Sequence, residues 1–171
     1  YFLSLGGIGE IGANCYLYCC DGKWIMIDLG LTFADEKFPG IDLLLPKIDF
    51  IEKISENLEA IIISHGHEDH AGAVAFFADQ IMCPVYATGF ARTLIENRLR
   101  EFDSLDKINL STINNNIELQ NFELNFINTT HSIPETNAIS IKTKYGTLLH
   151  TADWKIDDIP TLGENFNKDK F

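Results

Sequence analysis

The period of the hydrophobic positions changes several times along this chain, and each change marks an element. Phe2 to Leu5 reads as a short strand leading into a glycine-rich run, Gly6 to Gly12. Cys15 to Cys20 and Lys23 to Asp28 are apolar, aromatic and β-branched, and the Asp21-Gly22 between them is a strong type I′ hairpin signal. Leu29 to Leu45, with Pro39 inside it and Pro46 just beyond, reads as an irregular loop. Pro46 suits the first turn of a helix reaching to Asn57, in which Ile48, Ile51 and Ile54 recur at every third position. Glu59 to Ser64 contains Ala60-Ile61-Ile62-Ile63, the continuous apolar run of a strand buried on both faces, and its alternation with helices predicts a parallel, central strand.

A small-residue helix is expected over Ala71 to Gln80, a strand over Val85 to Thr88 and a helix over Phe90 to Phe102, which is a β-α-β-α alternation. Asp103 to Asn116 is polar, with Asn114-Asn115-Asn116 as a turn. Ile117 to Leu119, Phe122 to Asn128, Ala138 to Thr143 and Thr147 to Thr151 read as strands, the last pair joined at Tyr145-Gly146. From Asp157 onward the periodicity is lost. The expected division is therefore a domain over 1–156 and a tail over 157–171.

Composition narrows the picture. A chain of 171 residues that is 46% hydrophobic has the mass for one α/β domain with a sizeable core. No apolar run approaches the roughly 20 residues of a membrane span, and the start has no basic segment ahead of an apolar one, so neither a membrane partner nor a signal peptide is expected. Four cysteines without a C-x-x-C spacing fit a reducing cytoplasm. The formal charge of −12 argues against an extended basic surface for a phosphate backbone. A bound dication would weaken that objection locally.

Two motifs carry chemistry. Gly7-Ile8-Gly9-Glu10-Ile11-Gly12 matches G-x-G-x-x-G, but a dinucleotide site needs a helix opening at the third glycine, and only a strand and a hairpin follow. The glycines read instead as tight turns and close backbone approach. The second motif, His65-Gly66-His67-Glu68-Asp69-His70, follows the buried strand at its carboxyl end, where α/β sheets place their sites. Three imidazoles and a carboxylate this dense are poorly explained without a metal, and they are ligand types that zinc takes in catalytic sites. His131 and Asp153 also lie just past strand ends, so the topology can bring them to the same edge. His150, inside the last strand, reads as a core or supporting side chain.

The order Asp28, His65-x-His67-x-Asp69-His70, His131, Asp153 resembles that of the metallo-β-lactamase superfamily. Within it, Leu5 to Gly12, Asp28-Leu29-Gly30-Leu31, His131-Ser132-Ile133-Pro134 and His150-Thr151-Ala152-Asp153 are similar to the amino-terminal part of the bacterial ribonuclease J family, in the β-CASP nuclease branch. The resemblance implies an αββα sandwich, here its amino-terminal portion, with two zinc ions at one edge. It implies that His65, His67 and His131 hold the first zinc, that Asp69 and His70 hold the second, and that Asp153 bridges both. Asp69 would also orient the attacking water. Asp28 would support the histidine loop from behind, though on sequence alone it reads equally well as a strand-ending acid. RNA is the implied substrate, hydrolysed in exo- or endonucleolytic mode, and homo-oligomers are compatible with it.

Two departures matter. The family carries glycine where this chain has Ala152, a change that is tolerable unless the backbone there needs a positive φ. No histidine follows His150, so the family's last ligand of the second zinc and its β-CASP domain are not supplied by these residues. The expectation is a fragment with a well-formed first site, a weaker second one and little nuclease activity of its own. The alternatives are a metallo-hydrolase of small thioesters, lactones or β-lactams, and a non-catalytic metal-binding scaffold.

Overall fold

A computed structural model describes residues 1–114, 116–166 and 169. The expected turn at Asn114-Asn115-Asn116 includes Asn115, which lies outside the described residues, as do four positions of the tail.

Period-two burial builds the main sheet. Its strands run in the order β1 (Phe2–Gly6), β2 (Cys15–Cys20), β3 (Lys23–Ile27), β6 (Leu58–Ile63), β7 (Val85–Ala87) and β8 (Leu110–Thr112). The first three are antiparallel, and β3, β6, β7 and β8 are mutually parallel. Asp21 and Gly22 join β2 to β3 with φ of 48° and 80°, the positive pair a type I′ turn requires. The short strands β4 (Thr32–Phe33) and β5 (Leu43–Leu44) pair inside the segment expected to be irregular. A second, antiparallel sheet has the order β12 (Gly146–His150), β11 (Asn137–Thr143), β10 (Glu123–Asn128), β9 (Ile117–Glu118).

Strand β6 is central, with parallel partners on both sides, and its alternate residues feed two cores. Ile61 and Ile63 join Leu17, Met26 and Val85 under Ala91, Ile95 and Leu99 of helix α3 (Gly89–Glu101). Ala60 and Ile62 join Ile25 and Ile27 against Leu124, Ile139 and Ile141 of the second sheet. The layers are thus helix, sheet, sheet, which is the αββ part of the expected αββα sandwich. Every helical apolar residue of the buried clusters, among the described residues, lies on the first side.

Three elements differ from expectation. Helix α1 spans Asp49–Ile54, followed by a 3-10 turn at Ser55–Asn57, so Pro46 precedes the helix rather than opening it. Strand β8 went unforeseen because Leu110-Ser111-Thr112 is short and mostly polar. The helix expected over 71–80 is broken into α2 (Glu68–Ala71) and a 3-10 turn at Val74–Phe77. Tertiary bonds divert its ladder: the Ala73 amide donates to Leu29, the Asp69 carbonyl takes the Asn14 amide, and the His70 carbonyl takes the Leu29 amide.

Among the described residues, no helix is long and apolar enough to cross a membrane. All four cysteines are free.

Candidate metal centre

Because β3, β6 and β7 run parallel, Asp28, Ser64 and Thr88 emerge at one edge. In the second sheet β10 and β12 both run antiparallel to β11, so His131 and Asp153 follow strand ends that share a direction. The Asn137 amide donates to the Ser64 carbonyl at 3.3 Å and ties the two edges together.

Three loops are laced beneath the histidines. Ala13 donates to Leu31, Gly30 to Asn14, Leu29 to His70 and Leu31 to Glu68, all backbone to backbone at 2.8–3.0 Å. Gly30 permits this crossing, since a Cβ there would overlap the Asp69 carbonyl. From outside, Arg98 of α3 pairs with Glu68 at 2.8 Å, and Glu135 Oε2 accepts from the Phe90 amide at the amino terminus of α3.

Asp28 is fully buried, with φ of 64°, and its carboxylate is completely engaged. Oδ1 accepts from the Ser64 amide at 2.7 Å; Oδ2 accepts from Ser64 Oγ at 2.9 Å and from His70 Nδ1 at 2.7 Å. That leaves His70 Nε2 facing the site. Asp28 therefore touches the back of the histidine loop and acts through His70, not on anything in the cleft.

Two groups of side chains converge. One ligand atom each from His65, His67 and His131 lie within 4.8 Å of one another, and so do those from His65, His70 and Asp153. His65 Nε2 sits 3.1 Å from His67 Nδ1. A tetrahedral zinc with bonds of ~2.0–2.1 Å needs edges of about 3.3 Å, and the His65–His67 separation is close to that. Asp153 stands between the groups, with Oδ1 3.6 Å from His70 Nε2 and Oδ2 3.6 Å from His131 Nε2. Asp69 lies beside them, its Oδ2 3.5 Å from His70 Nε2, but outside the second compact triad.

The electrostatics favour a cation. Burial pushes the His65 imidazole down to about 3, with the His70 charge adding to the effect, so His65 offers a neutral lone pair. Burial also works against a charge on His70, yet the Asp28 and Asp153 carboxylates outweigh it and lift His70 to about 10. Burial would raise Asp28, but His70 holds it below the ordinary carboxylate range. The His70 imidazolium, 3.6 Å away, holds Asp153 down to about 2. Three carboxylates thus converge on one imidazole, a surplus of negative charge that a bound dication would balance.

Of the residues singled out in the sequence, His65, His67, His70, His131 and Asp153 converge at one edge, Asp69 lies beside them, and Asp28 lies behind His70. His150 is buried in the inter-sheet region, with Nδ1 3.0 Å from Tyr18 Oη and its ring 5.1 Å from Tyr16. Ala152 has φ of 49°, so the position does use the left-handed region that suits glycine. The residues missed were Ser64, which bonds Asp28 and lies 3.0 Å from His65 Nδ1; Asn14, whose amide nitrogen contacts Asp69 and His70; and Ser132, whose Oγ is 3.4 Å from His67 Nε2. Asn14 lies two residues past the glycine run, and neither its type nor its spacing marks it as part of a site.

Comparison with known proteins agrees with this geometry. Residues 8–154 match the metallo-beta-lactamase superfamily profile. Ribonuclease J of Sinorhizobium meliloti is 40% identical over 99% of this chain and 31% of its own length, and ribonuclease J 2 of Staphylococcus aureus is 35% identical over 91% and 28%. The chain thus spans about three-tenths of the length of these curated relatives. Among solved structures, the metallo-beta-lactamase fold protein YhfI of Bacillus subtilis superposes with a TM-score of 0.59 at 18% identity, over 92% of this chain and 64% of its own. Zn(2+)-bound PqqB of Methylobacterium extorquens gives 0.58 at 13% identity, over 80% and 51%. The chain belongs to the metallo-beta-lactamase superfamily.

Proposed function

We propose that this chain carries the metal-binding unit, residues 1–156, of a zinc-dependent hydrolase that cuts RNA phosphodiester bonds. The observation that carries the reading is Asp153, whose two carboxylate oxygens face two different groups of imidazoles across one cleft. The ribonuclease J relatives support RNA as the substrate over a small thioester, lactone or β-lactam.

His65, His67 and His131 would hold one ion; His70, with Asp69 beside it, would hold the other, and Asp153 would bridge. When bound, the ions supply Lewis acidity to the scissile phosphate and lower the pKa of water. The chain's own residues do the rest. Asp28 fixes the His70 ring so that Nε2 points into the cleft. Asp69, with its side chain about a third exposed, is placed to accept a proton from an attacking water. His67, His131 and Asp153 form the open, half-buried side that a substrate phosphate would approach.

With an acidic surface and about three-tenths of the length of its relatives, the chain would grip RNA weakly, and the 171 residues alone are expected to hydrolyse it poorly or not at all. The location is proposed to be cytoplasmic. The test is Asp153→Asn in a full-length protein that carries this chain: RNA hydrolysis is lost, since a neutral amide cannot bridge two dications. Retained hydrolysis would refute the bridging role.

A further inference from the structure

The glycine-rich loop has no place in the metal chemistry as described, yet it builds a specific contact with it. Asn14 follows that loop and is 9% exposed. Its backbone amide donates to the Asp69 carbonyl at 3.0 Å. Its side-chain Nδ2 donates to the same carbonyl at 3.0 Å and to Asp69 Oδ2 at 3.2 Å, and lies 3.1 Å from His70 Nε2.

A carboxamide can flip, and the opposite orientation would set its oxygen against the Asp69 carboxylate. Asp69 prevents this, because its carbonyl and its carboxylate only accept and so hold Nδ2 on their side. The Tyr16 hydroxyl completes the arrangement by donating to Asn14 Oδ1 at 2.7 Å. Burial pushes the phenol up to about 12, with the Asp28 and Asp153 charges adding to the effect, so it remains a donor at neutral pH. Gly7, at φ of 80°, makes the room: a Cβ there would overlap both Tyr16 Oη and Asn14 Oδ1. Tyr16 Oη also lies 3.3 Å from the Gly7 carbonyl.

We infer that Asn14, bonded to Tyr16 against the Gly6–Gly12 loop, is a positioning residue that clamps Asp69 for the second metal position. The glycine motif thereby has a purpose unrelated to phosphate: it is the backbone shell around the Asn14–Tyr16 pair. Nδ2 meets both the Asp69 carbonyl and Oδ2, the carboxylate oxygen that lies 3.5 Å from His70 Nε2. The metal part of this inference rests on the reading above; the clamp itself is a property of the metal-free chain.

Two measurements separate these. Zinc(II) is titrated calorimetrically into the metal-free 171-residue chain, its Asn14→Ala variant and its Tyr16→Phe variant. Asn14→Ala should leave the tighter step, set by His65, His67 and His131, within about twofold and weaken the other roughly 10- to 100-fold, the usual cost of losing a partner that orients a ligand. Tyr16→Phe, which keeps the carboxamide, should weaken the same step by a smaller factor. Zinc binding unchanged by Asn14→Ala, or weakened equally at every step, overturns the inference. Solvent exchange of the Asn14 side-chain amide protons in the metal-free chain is the second measurement. Slow exchange that Asp69→Ala accelerates is expected, and exchange at the rate of a free carboxamide overturns the clamp. If the wild type takes up no zinc, the metal reading fails and the exchange result alone decides the clamp.

Discussion

Asp28 Oδ2 lies 2.7 Å from His70 Nδ1, with both side chains almost wholly buried. The contact sets the direction of Nε2, on the opposite side of the same ring, so a strand-end acid in the core decides where an imidazole points in the cleft. Asp28→Asn keeps the shape but removes the charge and turns one acceptor into a donor against Ser64 or His70. Breaking a buried pair of this kind costs about 3–5 kcal/mol. A urea titration should show that loss, and a cost under about 1 kcal/mol would mean that the pair is not structural.

Gly30 is where the glycine-rich loop, the β3 end and the histidine loop cross. Gly30→Ala would drive a methyl into the Asp69 carbonyl and its laced partners. The expected cost exceeds about 4 kcal/mol, in the range reserved for overpacking without an escape route. Circular dichroism should show a largely unfolded or strongly destabilised chain, whereas a near-native melt would contradict the close approach.

Ala152 predicts the opposite sign. At φ of 49° its Cβ crowds the backbone, and a left-handed residue other than glycine costs roughly 1–2 kcal/mol, against which glycine's greater unfolded-state entropy takes back up to ~1. Ala152→Gly should therefore raise stability by about 0.5–1 kcal/mol. Chemical denaturation would read this as a higher midpoint at unchanged slope. A lower midpoint would mean that the conformation carries no strain.

Much of the fold was legible because its signals are local. Asp21-Gly22 has the chemistry its turn demands, and the unbroken Ala60-Ile61-Ile62-Ile63 run identified a strand covered on both faces. Elements decided by distant partners were not legible. The 71–80 helix stops early because Leu29 and Asn14 capture its backbone groups, and β8 exists because β7 offers an edge to a polar tripeptide. The site divides in the same way. Histidine and aspartate announce metal chemistry by type and spacing, while Asn14, Tyr16 and Ser64 are ordinary residues whose roles come from tertiary register.

Zinc should also stabilise the chain by mass action. At 100 times the dissociation constant a ligand of the native state adds about 2.7 kcal/mol, which for a domain of this size raises Tm by about 5–10 °C. Calorimetric melts with zinc and after chelation should differ by that amount, and His65→Ala should abolish most of the difference, because it removes a ligand of the tighter site and lies within reach of the second group as well. Identical melts would argue against metal binding by the native fold.

The most direct test of the central claim is anomalous diffraction at the zinc edge from crystals of this chain grown with zinc. One peak is predicted among His65, His67 and His131, and a second, weaker peak beside His70 and Asp153. Well-ordered crystals with all six ligand side chains in place and no anomalous density at either position would contradict the account.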